Sequence, residues 1–422
     1  LEDLTDRPAS TRVVVLGGGY AGTMAANRLR TRADIAVTLI NPRAEFVERI
    51  PLHQLVAGND DAVADYDQLL GAGIALIVDA AVRIDTDRRV VELLYGAPLS
   101  YDFVIYAVGS TAEPPASIPG AREFAYPVAE LEHARRLRVV VADLPPGAAI
   151  TVVGAGLTGI ETASELAENG YRVTLVCGGQ LGPYLSTRGR RSVAKVLRKL
   201  GVHILEAPAV TKVTADAVVL SDGSEHPTSV TIWTAGFAVP ALAAASGLRT
   251  DDVGRLLTDE TLTSIDDDRV LAAGDSASPS GVPLRMSCQM AGPLGMTAAE
   301  TVLSRVAGTT PAVIDQASFG ACVSLGRRSG IVQFAHKDDR AIDLSSTGRL
   351  VAPIKEAVCR STLWSLRREA RRPGSAFWFK GGRRPAAAVP DAPEQEAPNL
   401  PLCGRSAGCG PDISNLAAHV EP

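Results

Sequence analysis

"ITVVGAGLTGIE", residues 150–161, decides the fold. An apolar run ends in Gly154-x-Gly156-x-x-Gly159, after which "GIETASELAENG" reads as a helix and "RVTLV" as a strand. A near copy, "VVVLGGGYAG", stands at 13–22 with Gly17-x-Gly19-x-x-Gly22, followed by "AGTMAANRLR" and "IAVTLIN". One such triplet is weak evidence in a chain with 39 glycines. Two complete strand–loop–helix–strand units are far stronger, because each glycine then has a physical reason. The first allows the tight turn, the second lets backbone approach a pyrophosphate, and the third lets helix and strand pack closely. The helix N-terminus offers free N–H groups and a positive dipole end to the phosphates.

The duplication extends beyond the loops. Each unit is followed by a hairpin-like stretch and an apolar strand ending in glycine. The first copy closes with "YAVGS" near Gly109, the second with "WTAGF" near Gly236. The chain therefore reads as α/β, with two Rossmann-like dinucleotide-binding domains.

Composition agrees with a globular protein of two or three domains: 422 residues, 46% hydrophobic, 21% charged. A net charge of −5 gives no hint of nucleic acid as a partner. No apolar run approaches the ~20 residues of a spanning helix. Six irregularly spaced cysteines argue against a disulfide scaffold, and no metal-ligand spacing stands out. The acidic, polar start "LEDLTDRPAS" does not read as a secretory signal, so the expected location is the cytoplasm, with the inner face of the membrane left open.

Over roughly residues 11–310 the chain resembles the two-dinucleotide-binding-domain flavoproteins of the pyridine nucleotide-disulfide oxidoreductase superfamily. The two loops, the strand ends at Gly109 and Gly236, and the late "RVLAAGDSA" at 269–277 carry the resemblance. It implies FAD on the first loop, NAD(P)H on the second, and hydride transfer where the domains meet. Gly274 and Asp275 would then meet the ribityl chain of FAD. It also implies a split FAD domain, residues 11–115 and 260–310, with an NAD(P)H domain at 116–259 inserted in it. A small C-terminal α+β region, 311–380, would cover the flavin, and 381–422, rich in Pro, Gly and Ala, reads as a disordered tail.

The branch of the family is read from what is missing. Disulfide reductases carry a redox cysteine pair shortly after the first unit, but residues 42–60 contain no cysteine and the first in the chain is Cys177. The stretch "PRAEFVERIPLHQLVAGND" instead resembles type II NADH dehydrogenases, which implies electron delivery to a quinone. In that resemblance Gln289 and Ala291 of "SCQMAGPLGMTAAE" lie on the flavin helix facing the acceptor, while Cys288 and Pro293 depart from the pattern. Glu161, in GxGxxGxE, would sit at the nicotinamide–flavin contact or on the surface of the first helical turn. A ferredoxin- or rubredoxin-type reductase and a flavoprotein redox sensor remain as rival readings, and a small soluble acceptor as an alternative to quinone. Homodimerisation is left open.

The residues that grip the adenosine ribose are unusual. A carboxylate is the common choice at the end of the second strand of each unit. Here the first unit has Asn41, which accepts without bidentate strength, and the second has Cys177 followed by two glycines. No acid there repels a 2′-phosphate, and Arg188, Arg190 and Arg191 follow, so NADPH stands beside NADH. Downstream, "PIKEAVCRSTLWSLRREARRPGSAFWFKGGRR" mixes basic and aromatic residues, as a membrane-surface segment or a docking helix would. Cys403 and Cys409 in the tail read as exposed thiols or as a redox pair.

Overall fold

A computed structural model describes residues 10–382; Cys403 and Cys409 lie outside these residues. The first unit comprises β1 (Thr11–Leu16), α1 (Tyr20–Leu29), β2 (Ile35–Asn41), the short helix α2 (Leu52–Val56), β3 (Ile74–Val78) and β4 (Phe103–Tyr106). The second runs through β5 (Ala125–Pro127), β6 (Ala149–Val153), α3 (Leu157–Glu168), β7 (Arg172–Val176), α4 (Thr187–Lys199), β8 (His203–Leu205) and β9 (Val230–Trp233). The chain then adds β10 (Val270–Ala272) and α5 (Cys288–Val306). It ends in an antiparallel sheet of β11 (Gly320–Ser324), β12 (Gly330–Ala335) and β13 (Ala341–Gly348), and in α6 (Ala352–Arg371).

Two five-stranded parallel sheets form the body. Their orders are β10-β4-β1-β2-β3 and β5-β9-β6-β7-β8. The strand β10 thus returns to the first sheet after the whole second sheet has been built. Each sheet is covered on both faces, which is why its strands are unbroken apolar runs such as Val13–Leu16. The hairpin-like stretches form matching three-stranded meanders just before β4 and β9.

Small residues let the layers approach. The whole of α1 is buried between the first sheet and α5. A Cβ at Gly295 on α5 would run into the backbone of Ala21, so only glycine fits that crossing. In both loops the third glycine, Gly22 or Gly159, has no room for a Cβ against the carbonyl of Gly17 or Gly154.

The C-terminal helix docks through buried charge as well as through Cys359, Leu366 and Ala370. Arg28 of α1 pairs with Glu369 of α6 (Nε–Oε1, 2.6 Å) and with Glu300 of α5 (2.6 Å), and donates to the Ala376 carbonyl (2.7 Å). Glu369 is 0% exposed and also accepts the N–H groups of Gly374 (2.7 Å) and Ala376 (2.6 Å). Removing one partner of a buried pair costs about 3–5 kcal/mol because the other charge is stranded. Arg28→Ala is therefore expected to destabilise the protein by about that amount in denaturant titrations, with α6 losing hydrogen-exchange protection first. Unchanged protection of α6 would refute this.

Candidate active site

The first glycine loop opens on a cleft of about 880 Å³. Gly17, Gly19, Asn41, Gly109, Gly274 and Asp275, each expected from the sequence to bind cofactor, all line it, and Ala291 of α5 closes it. Gly19 is the N-cap residue of α1, with no side-chain cap, and a Cβ on it would meet no atom within 4 Å. The helix end thus faces open space with its donors unused, as a pyrophosphate requires. Gly17 (φ 98°) and Gly109 (φ 73°) turn the backbone where other residues are strained.

Polar groups brace this cleft. Asn41 Oδ1 accepts from Gly18 N–H (3.0 Å) and its Nδ2 donates to the Arg43 carbonyl (2.7 Å), so the amide holds the loop in shape. Asp275 accepts from Ser110 Oγ (2.7 Å) and Ser287 N–H (3.1 Å), which joins the ends of β4 and β10 to the start of α5. Arg49 also lines the cleft and donates to the Ser110 carbonyl. Nothing in the spacing of "VERIP" marks that arginine; the fold brings it there.

The second loop has the same geometry. Gly156 caps α3 with open space at its Cβ position, Gly154 (φ 103°) passes too close to Ala235 for a side chain, and Gly236 takes φ 78° at the end of β9. Glu161, one turn into α3, is buried rather than on the surface. Its Oε1 meets Lys355 Nζ of α6 at 3.0 Å and accepts the Ser324 N–H of β11 at 2.9 Å. Burial alone would raise its pKa; Lys355, His53 and the Ser324 N–H outweigh this and hold it below the usual carboxylate range. Burial would likewise lower Lys355, but Glu161 outweighs it and the ammonium is held more firmly than usual. His53 Nδ1 lies 3.7 Å from Glu161, and burial lowers its pKa although the Glu161 carboxylate opposes this.

Cys288 begins α5 within the electrostatic reach of this cluster, and burial pushes its thiol up. The neighbouring Gln289 amide, oriented to satisfy both ends, donates to the Gly320 carbonyl (3.0 Å) and accepts from Phe319 N–H (3.2 Å). It ties α5 to the start of β11. Arg188 is exposed on the first turn of α4, its N–H bonded to Asp343 of β13 (3.1 Å). Among the described residues, no group of three or more His, Cys, Asp or Glu could hold a metal ion.

The two glycine loops cap α1 and α3, and each of these helices is tied to α6 by its own buried ion pair. Residues 11–301 match the model of the pyridine nucleotide-disulphide oxidoreductase family. The chain belongs to this family. An NADH dehydrogenase-like protein of Mycobacterium tuberculosis is 32% identical over 322 residues, covering 70% of this chain and 80% of that one. A type II NADH:quinone oxidoreductase of Staphylococcus haemolyticus is 27% identical over 361 residues, covering 76% and 89%. Among solved structures, a sulfide:quinone oxidoreductase from Aquifex aeolicus superposes with a TM-score of 0.75 at 20% identity, covering 86% and 93%; at that identity the likeness concerns the fold. Family membership makes the chain an FAD-dependent oxidoreductase that uses NAD(P)H.

The Glu161–Lys355 pair yields a stability test. Glu161, with its lowered pKa, contributes stability that is present above the unfolded value of about 4.3 and lost as pH falls through the folded value. Lys355→Met should strand the carboxylate, cost about 3–5 kcal/mol near neutral pH, and make the protein less sensitive to acid below pH ~4. Adding Glu161→Gln should recover part of the loss in a double-mutant cycle. Strict additivity of the two changes would show that they are not coupled.

Proposed function

We propose that the first loop binds FAD, the second binds NAD(P)H, and the enzyme passes electrons to a quinone at a membrane surface. The observation that carries the quinone reading is the two-sidedness of α6. Its buried side presents Lys355 to Glu161, within electrostatic reach of Cys288 at the first turn of α5. Its outer side leaves Ile354 (49%), Val358 (43%) and Trp364 (56%) exposed. One helix thus joins the redox centre to an apolar surface. The staphylococcal relative, a type II NADH:quinone oxidoreductase, agrees with this acceptor.

The chain's own groups have clear tasks in this scheme. Backbone at Gly19 and the N-terminus of α1 receive the FAD pyrophosphate, while Asp275 and Asn41 keep the walls of the cleft in register. When bound, FAD supplies the two-electron acceptor for nicotinamide hydride. The positive end of α5 favours negative charge on its far side. Lys355 holds a proton at Nζ, and Glu161 holds Lys355. Gln289 fixes α5 against β11 and so keeps the helix end in place.

The surface around α6 suits a lipid headgroup layer. Arg360, Arg367, Arg368, Arg371 and Arg372 lie on or just beyond the helix, Arg368 stacks over Trp364 (5.2 Å), and Phe377 and Phe379 are exposed next to it. Each basic residue near an anionic surface contributes about 1 kcal/mol, and interfacial aromatics add apolar burial. No helix among the described residues is long and apolar enough to cross a membrane.

Two experiments follow. The purified protein should be yellow, with one non-covalent FAD per chain. Gly19→Val should be colourless; Gly156→Val should stay yellow but fail to bleach anaerobically with NAD(P)H. Full flavin in the first variant, or normal bleaching of the second, would undo the assignment of that loop. Reoxidation of the reduced protein by a water-soluble quinone, and not by an iron–sulfur protein, is the expected acceptor result.

Membrane contact is tested on the exposed side chains, because deleting α6 would also remove Lys355 and Glu369 from the core. Wild type should sediment with anionic vesicles at low salt and detach at high salt. Ile354→Ser, Val358→Ser and Trp364→Ser together should abolish sedimentation while sparing NAD(P)H oxidation by a soluble acceptor. Absence of sedimentation by wild type would leave the helix a purely internal support.

A further inference from the structure

The second unit lacks a carboxylate at the end of β7, where Cys177 stands. The next strand supplies one. In the parallel pairing of β7 with β8, Val176 stands opposite Leu205, so Cys177 and Glu206 are the next residues in register. The ladder continues past the strand ends: Cys177 N–H donates to the Leu205 carbonyl (2.8 Å) and Gly179 N–H to the Glu206 carbonyl (2.7 Å). Residues in register on parallel strands point to the same side of the sheet. The Glu206 carboxylate accordingly acts on the Cys177 thiol, which burial first and Glu206 second push up to about 12. Between them Gly178 (φ 63°) and Gly179 (φ 145°) put no side chain in the way. Glu206 is exposed, and its carboxylate has no ion-pair or hydrogen-bond partner among the described residues.

The adenosine ribose of a dinucleotide lies at the end of the second strand of a Rossmann unit, where a carboxylate accepts its hydroxyls. We propose that Glu206 takes over that task from the neighbouring strand and makes the enzyme select NADH over NADPH. It accepts from the 2′-hydroxyl of NADH. A 2′-phosphate would bring about −1.5 to −2 charges against an unpaired carboxylate. Arg188, the cation the sequence offers for that phosphate, begins α4, where Asp343 is bonded to its backbone N–H and lies beside the same turn. This inference rests on the reading that the second loop binds NAD(P)H.

The test uses the FAD-loaded enzyme. Calorimetric titration with ADP-ribose and with its 2′-phosphorylated form gives binding free of turnover, and anaerobic flavin bleaching with NADH and NADPH gives the rates. Wild type is expected to favour the unphosphorylated ligand, and NADH, by about tenfold or more. Glu206→Gln should remove most of that preference, chiefly by strengthening the phosphorylated ligand, and Glu206→Lys should reverse it. An unchanged ratio in both variants would overturn the proposal. So would a wild-type preference for the 2′-phosphate that Arg188→Ala removes, since coenzyme choice would then belong to α4. If wild type binds neither ADP-ribose form, the second-loop reading itself fails and the inference falls with it. If Gly156→Val loses both ligands while Glu206→Gln shifts only their ratio, the loop and the selector are separate, as proposed.

Discussion

Two buried ion pairs on one helix tie it to both halves of the molecule. Lys355 near the start of α6 reaches Glu161 on the helix of the second loop, and Glu369 near its end reaches Arg28 on the helix of the first. Fourteen residues separate them, about 21 Å of helix. The C-terminal helix is thereby fastened to both dinucleotide units at once, by charges that lie alongside the buried Cys359, Leu366 and Ala370. In the proposed reaction hydride passes between ligands held by the two units, so the geometry of transfer would depend on this clamp.

Charge is an expensive way to dock a helix. Well-packed apolar residues often do as well or better in stability. What charge adds is register. A helix held by greasy contacts can slide or roll by a residue at small cost, whereas Arg28 has one place where it meets Glu369, Glu300 and the Ala376 carbonyl together. Glu161 is similarly fixed by the Ser324 N–H as well as by Lys355. Ile354, Val358 and Trp364 are left to face outward on the other side of the helix.

The parts of this fold that were legible in the sequence are those set by local chemistry. Glycine triplets, the apolar runs before them and the small residues after them follow from steric needs within a few residues, and Gly17, Gly19, Gly109, Gly274 and Asp275 do converge on one cleft. The illegible parts depend on contacts between distant segments. Nothing within "PIKEAVCR" distinguishes Lys355 from the surface lysines and arginines around it; its partner is 194 residues away (355 − 161). The docking side of α6 was illegible for the same reason: Lys355 and Glu369 share it with Cys359, Leu366 and Ala370, while Ile354, Val358 and Trp364 face outward. Asn41 was legible by position, but its amide braces the loop, a role that depends on where Gly18 lies. Glu206 was invisible because its importance comes from the pairing of β7 with β8.

The two cradles are one device in different surroundings, and the difference suits two kinds of ligand. At the first loop a later part of the chain comes back: β10 joins the sheet, Gly274 and Asp275 line the cleft, and α5 lies across α1. A group held there is walled by segments from both ends of the sequence, so its release requires them to part. At the second loop the flanking strand β5 precedes the loop, and the strand ends at Cys177 and Glu206 lead into exposed backbone and two glycines. A ligand there can leave without disturbing the core. A resident cofactor needs the first arrangement and an exchangeable co-substrate the second. The two βαβ units are alike, and the asymmetry between them lies in where the chain returns.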